Sequence, residues 1–417
     1  MTLIKTSLLN AIAVAIKMLT LLGINKVLAI YVGPSGYAAI GQFQNAVQMI
    51  TTFGSGAINT GVTKYTAEYH DDEVAQHRVW RTAGTVSLVC SAITAVLIVL
   101  FNHELASYFL GSEEYGSVFN IFALSLVFFV LNTLLLAILN GKKAITSYVF
   151  ANIAGSLCSL FVTSLLAIFN GLVGALIALS IYQSISFFVT FIICYKAPWF
   201  KVNLFFGGVD KASLIKLSKF TAMALVSAVC VPTSHILIRN HMAFEFGADY
   251  AGYWEAMWRL SSAYLMFITS TLAVYFLPRL SELKFGKDIW REIASGYKII
   301  LPLTIMGSLI VYLLRDFIIA TLFTTEFSPM RDLFAWQMVG DSLKVGGWML
   351  AYVLLGQAMF KPYMIAEILS SISFVLLTYV LTGYFGFEGV AIAHAINYVV
   401  YGVGLFFVLR KFLALKL

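Results

Sequence analysis

Residues 4–31 read IKTSLLNAIAVAIKMLTLLGINKVLAIY, a stretch of 28 residues that is almost wholly apolar. At about 1.5 Å per residue it is long enough to cross a bilayer as a tilted helix. Lys17 sits near its middle. On a wheel of about 100° per residue, Thr6, Asn10, Lys17 and Thr20 share one narrow face, and Leu, Ile and Val cover the rest. A lysine at mid-depth costs several kcal/mol unless it faces water, protein or a ligand. Two readings follow. Lys17 either pairs with a carboxylate inside a helical bundle or lines a polar pathway for something anionic.

Composition widens the inference to the whole chain. The 417 residues are 60% hydrophobic, 15% aromatic and 11% charged, with a mean hydropathy of +0.88. Soluble domains carry about 25% charged residues, so this is a polytopic membrane protein. No long polar block marks an attached soluble domain. Residues 4–31 lack a small-residue cleavage site after a short apolar core, and are expected to be a retained span. Cys90, Cys158, Cys194 and Cys230 lie in apolar segments without metal-type or paired spacing, as buried packing residues do.

The apolar segments count to twelve: 4–31, 38–66, 82–101, 117–140, 144–169 and 172–195, then 213–243, 251–278, 294–314, 333–357, 362–382 and 388–409. Turn signals separate several of them, among them Val32-Gly33-Pro34-Ser35-Gly36, Asn140-Gly141-Lys142-Lys143, Asn170-Gly171 and Phe360-Lys361-Pro362. Charge orients the array. With the N-terminus inside, eighteen Lys and Arg residues fall on inside segments, including Lys5, Arg78, Arg81, Lys142, Lys143, Lys219, Lys284 and Lys416. The outside loops hold only Arg315 and Arg331. The positive-inside rule then makes both termini cytoplasmic. The net charge of +7 is explained by this orientation, so nucleic acid is not needed as a partner.

The connection from Lys196 to Lys219 divides the chain into halves, 1–200 and 201–417, of six spans each. Val79-Trp80-Arg81 in the first half has a counterpart in Ile289-Trp290-Arg291, and Gly36-Tyr37-Ala38-Ala39 one in Asp249-Tyr250-Ala251-Gly252. Six spans per half give parallel repeats, an arrangement suited to a transporter that rocks two lobes.

Polar stripes say more. Gln44, Gln48, Thr51, Ser55 and Asn59 fall within about 80° if the second span is one helix. Thr221, Pro232, His235 and Arg239 share a face of the seventh, and Glu255, Arg259, Ser262 and Thr269 one of the eighth. Gln337, Asp341, Lys344 and Trp348 do so on the tenth. Helices facing lipid do not carry such stripes, because unsatisfied polar groups in hydrocarbon cost several kcal/mol each. Interhelical hydrogen bonds are the alternative use for them. Glu255 with Arg259 and Asp341 with Lys344 stand at spacings that let side chains pair. Lys26 lies about 180° from Lys17 and joins its face only if Gly23 bends the helix; otherwise it snorkels to the interface, as Lys64 does. His235 and His394 stand apart from other metal-type ligands and are expected to be packing residues. No metal site, cofactor motif, P-loop or nucleophile–base spacing is visible, and no enzyme is expected.

Ser35-Gly36-Tyr37-Ala38-Ala39-Ile40-Gly41-Gln42-Phe43-Gln44, the twelve spans and the basic first span together resemble the polysaccharide-transporter branch of the MOP superfamily, the Wzx-type flippases of lipid-linked oligosaccharides. The resemblance covers the whole chain. It implies an all-α polytopic fold of MOP/MATE type, with twelve transmembrane helices in two six-helix lobes around a central cavity formed chiefly by spans one, two, seven and eight. It implies an undecaprenyl-diphosphate-linked substrate in the bacterial inner membrane, with polymerase and chain-length proteins of the same pathway as possible partners. On that footing Lys17, Arg239 and Arg259, then Lys26 and Lys344, are the expected substrate cations. Gln44, Gln48 and Asn59 would bond sugar hydroxyls, and Glu255, Asp341, Glu367 and His235 are candidates for proton coupling. The competing expectations are a cation-coupled multidrug exporter of the same superfamily and a non-transporting assembly scaffold.

Overall fold

A computed structural model describes the backbone of residues 3–276, 279–280, 283, 285–357 and 359–414, with side chains from 11 to 412 apart from Lys219 and Val274. Lys284 and Lys416, and the side chains of Lys5, Thr6, Asn10 and Lys219, lie outside the described residues. Regular structure among those described is helical throughout.

The first six crossings are built from seven helices. They are α1 (Leu3–Tyr31), α2 (Gly33–Gly54), α3 (Asn59–Glu68), α4 (Glu73–Leu100), the short α5 (Asn102–Leu110), α6 (Gly116–Gly141) and the long α7 (Ile145–Tyr195). The rest are built from α8 (Lys211–Phe246), α9 (Ala248–Thr271), α10 (Gly286–Leu313), α11 (Arg315–Leu322), α12 (Phe334–Gly356), α13 (Phe360–Phe385) and α14 (Gly389–Ala414). Eight stretches are long and apolar enough to cross a membrane. Two of them, of 51 and 53 residues, are hairpins of two crossings each. Asn170 and Gly171 leave helical geometry inside α7, and Gly155 comes close enough to the Ser186 hydroxyl to show the halves running side by side. Gly386 takes a φ of +60° between α13 and α14. That makes ten crossings. The remaining two are α2 with α3, and α9, whose polar residues lower their hydropathy; the total is twelve.

The second span departs from expectation. It is not one helix over 38–66: α2 stops at Gly54, Gly56 and Ala57 take φ of +64° and +54°, and α3 restarts at Asn59. Gly56 adopts this conformation freely, whereas Ala57 holds it against steric strain. The break is closed by the amide of Ala57 donating to the Thr52 carbonyl at 2.9 Å, as in a helix C-terminal motif.

The chain forms two compact units. The first holds the residues up to Val32 together with Ala39–Pro232. Its core is aromatic, with Phe43 edge-on to Phe119 at 5.3 Å and Trp80 fully buried. Such ring pairs contribute about 0.5–1.5 kcal/mol beyond area burial. The second holds Gly33–Ala38 and Thr233–Leu417, with Phe276, Ile289, Met349 and Leu405 in its core. Helix α8 therefore passes from one unit to the other at Pro232, the residue in that stretch with no backbone N–H to give. Close backbone contact depends on small residues, as expected where lipid competes for every apolar surface. A Cβ on Gly252 would lie 1.8 Å from the Pro34 carbonyl oxygen, which docks residues 33–38 on α9.

Candidate functional site

Two arginines converge on one carboxylate in the second unit. Arg239 on α8 donates through Nη2 to Glu255 Oε2 at 2.9 Å, and Arg259 on α9 donates through Nε to Glu255 Oε1 at 2.9 Å. The helical repeat brings Glu255 and Arg259 together at i,i+4, as their spacing predicts. Arg239, one span earlier, is the partner the spacing did not reveal. All three are at most 6% exposed. Their formal charges sum to one positive charge, buried across two helices. Rings hold the arginines in place: Arg239 lies 5.5 Å from the Trp254 centroid, and Arg259 lies 5.5 Å from that of Tyr37. Tyr37 is itself fully buried and edge-on to Phe327 at 5.2 Å.

Two residues of one turn of the tenth span, Lys344 and Asp341, sit in different environments. Lys344, 5% exposed, sits over Trp258 at 4.1 Å, Trp348 at 4.8 Å and Tyr398 at 5.7 Å. The expected pairing of Asp341 with Lys344 is not what forms. Asp341 is fully buried and bonds His394 Nε2 at 3.0 Å, the Tyr264 hydroxyl at 2.7 Å and the Gln337 amide at 3.2 Å. Three partners satisfy the carboxylate, and the ammonium gains the ring faces instead. His394 is thus no mere packing residue. His235 sets its ring edge-on to Trp258 at 4.3 Å. Glu367 is half-buried, with the Tyr401 hydroxyl donating at 3.4 Å.

The first unit presents its polar groups more loosely. Helix α1 is unbroken through Gly23, so Lys17 and Lys26 stay on opposite faces; Lys17 is exposed and Lys26 half-buried. Gln48 is exposed and Gln44 half-buried on α2. Asn59 leaves the stripe because the break at 55–58 ends the helical register on which the stripe was drawn. Its side-chain amide donates instead to the Thr133 hydroxyl at 3.2 Å. Lys64 does not simply snorkel: its ammonium lies 5.1 Å from the Phe220 centroid and 5.2 Å from that of Tyr65. Sequence reasoning missed Tyr37, Tyr264, Trp258 and His394. Trp254 and Trp258, at i,i+4 and bracketing Glu255, were the available signal for a cation-holding face.

Comparison with known proteins bears on the whole chain. Residues 3–284 match the family described as "Polysaccharide biosynthesis protein". Over 401 residues the chain is 32% identical to the Lipid III flippase of Escherichia coli (strain K12), covering 96% of each. The Lipid III flippase of Shigella flexneri is similar to the same extent. Among solved structures, an inward-facing multidrug resistance MATE family transporter of the MOP superfamily superposes with a TM-score of 0.80 at 15% identity, over 96% of this chain and 95% of that one. A MATE structure in the straight conformation gives 0.73 at 17% identity, over 97% and 95%. At these identities the structural likeness establishes the twelve-span MATE-like fold.

Proposed function

Because the chain belongs to the polysaccharide biosynthesis protein family, we propose that it is a flippase for an undecaprenyl-diphosphate-linked oligosaccharide, the lipid III of enterobacterial common antigen. It would move this lipid from the cytoplasmic to the periplasmic leaflet of the inner membrane, with both termini cytoplasmic. The observation that carries the reading is the Arg239–Glu255–Arg259 cluster. One arginine with Glu255 would make a neutral strut. Here two guanidinium groups share one carboxylate, and their planar forks suit the oxygens of a diphosphate.

In the second unit Arg239 and Arg259 take the diphosphate, with Lys344 as a further cation. In the first unit Lys17 supplies positive charge, and Gln44 and Gln48 supply hydrogen bonds for sugar hydroxyls; Lys26, on the opposite face of α1, and Asn59, bonded to Thr133, drop out of the expected set. The polyprenyl tail stays in lipid while the headgroup crosses by alternating access, and no covalent bond is made or broken. An inside-negative potential of about 100 mV opposes an outgoing anion by about 2.3 kcal/mol per charge, which bound cations reduce. Counter-transport of protons adds drive. Asp341, sharing a hydrogen bond with His394, fits that role better than Glu255, Glu367 or His235. The polymerase and chain-length proteins of the same pathway are the partners this reading names.

The competing exporter of drug cations needs carboxylates free to bind cations. Here Glu255 is held by two arginines and Asp341 by three donors. Purified protein in nanodiscs, titrated with polyprenyl-diphosphate-linked sugar and with ethidium, separates the two. Saturable binding of the lipid-linked sugar and none of ethidium is expected. The reverse order would make the chain an exporter.

A further inference from the structure

The first unit carries a further group of cations, outside every role assigned above. Lys64 on α3 and Lys216 on α8 are both exposed, and both ammonium groups sit over one ring, Tyr65, at 5.2 and 5.8 Å. Phe220 takes Lys64 from the other side at 5.1 Å, and Tyr69 takes Lys216 at 5.1 Å while accepting a hydrogen bond from it. Tyr69 stacks on Tyr65, and Phe220 stands edge-on to it. Two like charges are therefore gathered on a shared aromatic floor. Glu68 stands four residues after Lys64, a spacing that permits an ion pair, yet no ion pair joins it to either lysine among the described residues. Rings hold an ammonium without cancelling its charge, whereas a carboxylate would cancel it.

The scaffold beneath is rigid. The hydroxyl of Thr63 donates to the Ala137 carbonyl, and Thr66 accepts from the Trp80 indole at 2.8 Å. Thr221 on α8 donates to the Gly56 carbonyl at 3.1 Å, and Gly61 lets Leu217 close on α3. The strained left-handed Ala57 is what re-aims α3 onto this surface. Strain of this kind persists where the surrounding structure fixes it.

We propose that Lys64 and Lys216 form a shallow docking site for a diphosphate headgroup on a polyprenyl lipid, used before the headgroup reaches Arg239 and Arg259. This rests on the flippase reading. Lys216 is among the basic residues that the positive-inside rule assigns to the cytoplasmic face, where such a substrate is made, and Lys64 shares the Tyr65 ring with it. An exposed site of this type captures charge from the leaflet and releases it readily, because solvent and salt screen it.

The test uses farnesyl diphosphate as probe and the full chain in phosphatidylcholine nanodiscs. Replacing both lysines, Lys64→Gln with Lys216→Gln, should weaken binding about tenfold. Lys64→Arg with Lys216→Arg should restore it. Glu68→Gln should tighten binding, a gain that a structural role for these lysines does not produce. Unchanged affinity in the double Gln protein, alongside a loss in Arg259→Ala, would overturn the docking site and leave the flippase standing. Equal competition by phosphatidylglycerol would also overturn it, by making the ligand bulk anionic lipid. Absence of binding by the unaltered protein would overturn the reading beneath it.

Discussion

Removing Arg259 discriminates between a substrate ligand and a strut, and the three-member cluster sets the magnitudes. Arg259→Ala leaves Arg239 and Glu255 as a buried neutral pair bonded at 2.9 Å. The loss includes one charged hydrogen bond, about 1.5–3 kcal/mol, and the contact with the Tyr37 ring. Glu255→Gln leaves two guanidinium groups facing each other without a carboxylate, and breaking a buried pair in this way costs about 3–5 kcal/mol. The apparent melting temperature in detergent should therefore fall less for Arg259→Ala than for Glu255→Gln. Flipping in proteoliposomes should nonetheless be abolished in Arg259→Ala. The double change, Arg259→Ala with Glu255→Ala, removes one charge of each sign and so keeps the same net charge as the intact cluster. If phosphate needs the Arg259 fork, the double variant stays inactive, and Arg259→Lys falls between. Full flipping in the double variant would refute the ligand role and make Arg259 a strut.

Three further outcomes follow from the structure. Single cysteines at Asn170 and Lys142 in a cysteine-free background should label from opposite sides with an impermeant thiol reagent; labelling from the same side would break the twelve-span topology. Gly252→Ala should lower the melting temperature sharply, because its Cβ would meet the Pro34 carbonyl, while Gly307→Ala, with open space around it, should change little. The hydrogen bond from Arg331 to Asp316, with the guanidinium charge, holds the Asp316 carboxyl below the usual carboxylate range. The pair's contribution is present above the unfolded aspartate pKa and fades as pH falls through the lowered folded value. Hydrogen-exchange protection across 315–333, taken relative to the intrinsic amide rate at each pH, should fall at acid pH, and Asp316→Asn should remove that dependence.

Much of the fold was legible because apolar length and charge asymmetry are properties of single segments. Residues 4–31 announce a span without reference to anything else, and Asn170-Gly171 announces its turn. The break at Ser55–Ile58 was not legible in the same way. Gly54 and Gly56 are compatible with a continuing helix in a membrane, and Ala57 gives no hint of a left-handed conformation. Once the helix breaks, the stripe through Asn59 dissolves. At the site, the Glu255–Arg259 contact follows from local spacing and was foreseen. Arg239 and His394 reach their partners from other helices, 16 and 53 residues away in sequence. The Asp341–Lys344 expectation failed because spacing permits a contact without ranking it against a histidine, a tyrosine and three rings.

The central claim is that this chain moves a lipid-linked oligosaccharide headgroup across a bilayer. Sealed proteoliposomes loaded in both leaflets with undecaprenyl-diphosphate-linked trisaccharide, then treated outside with impermeant periodate, test it directly. With the protein present, the inner pool should become oxidised over time, and Arg259→Ala vesicles should stay protected like protein-free ones. An inner pool that remains protected beside active, folded protein would contradict the account.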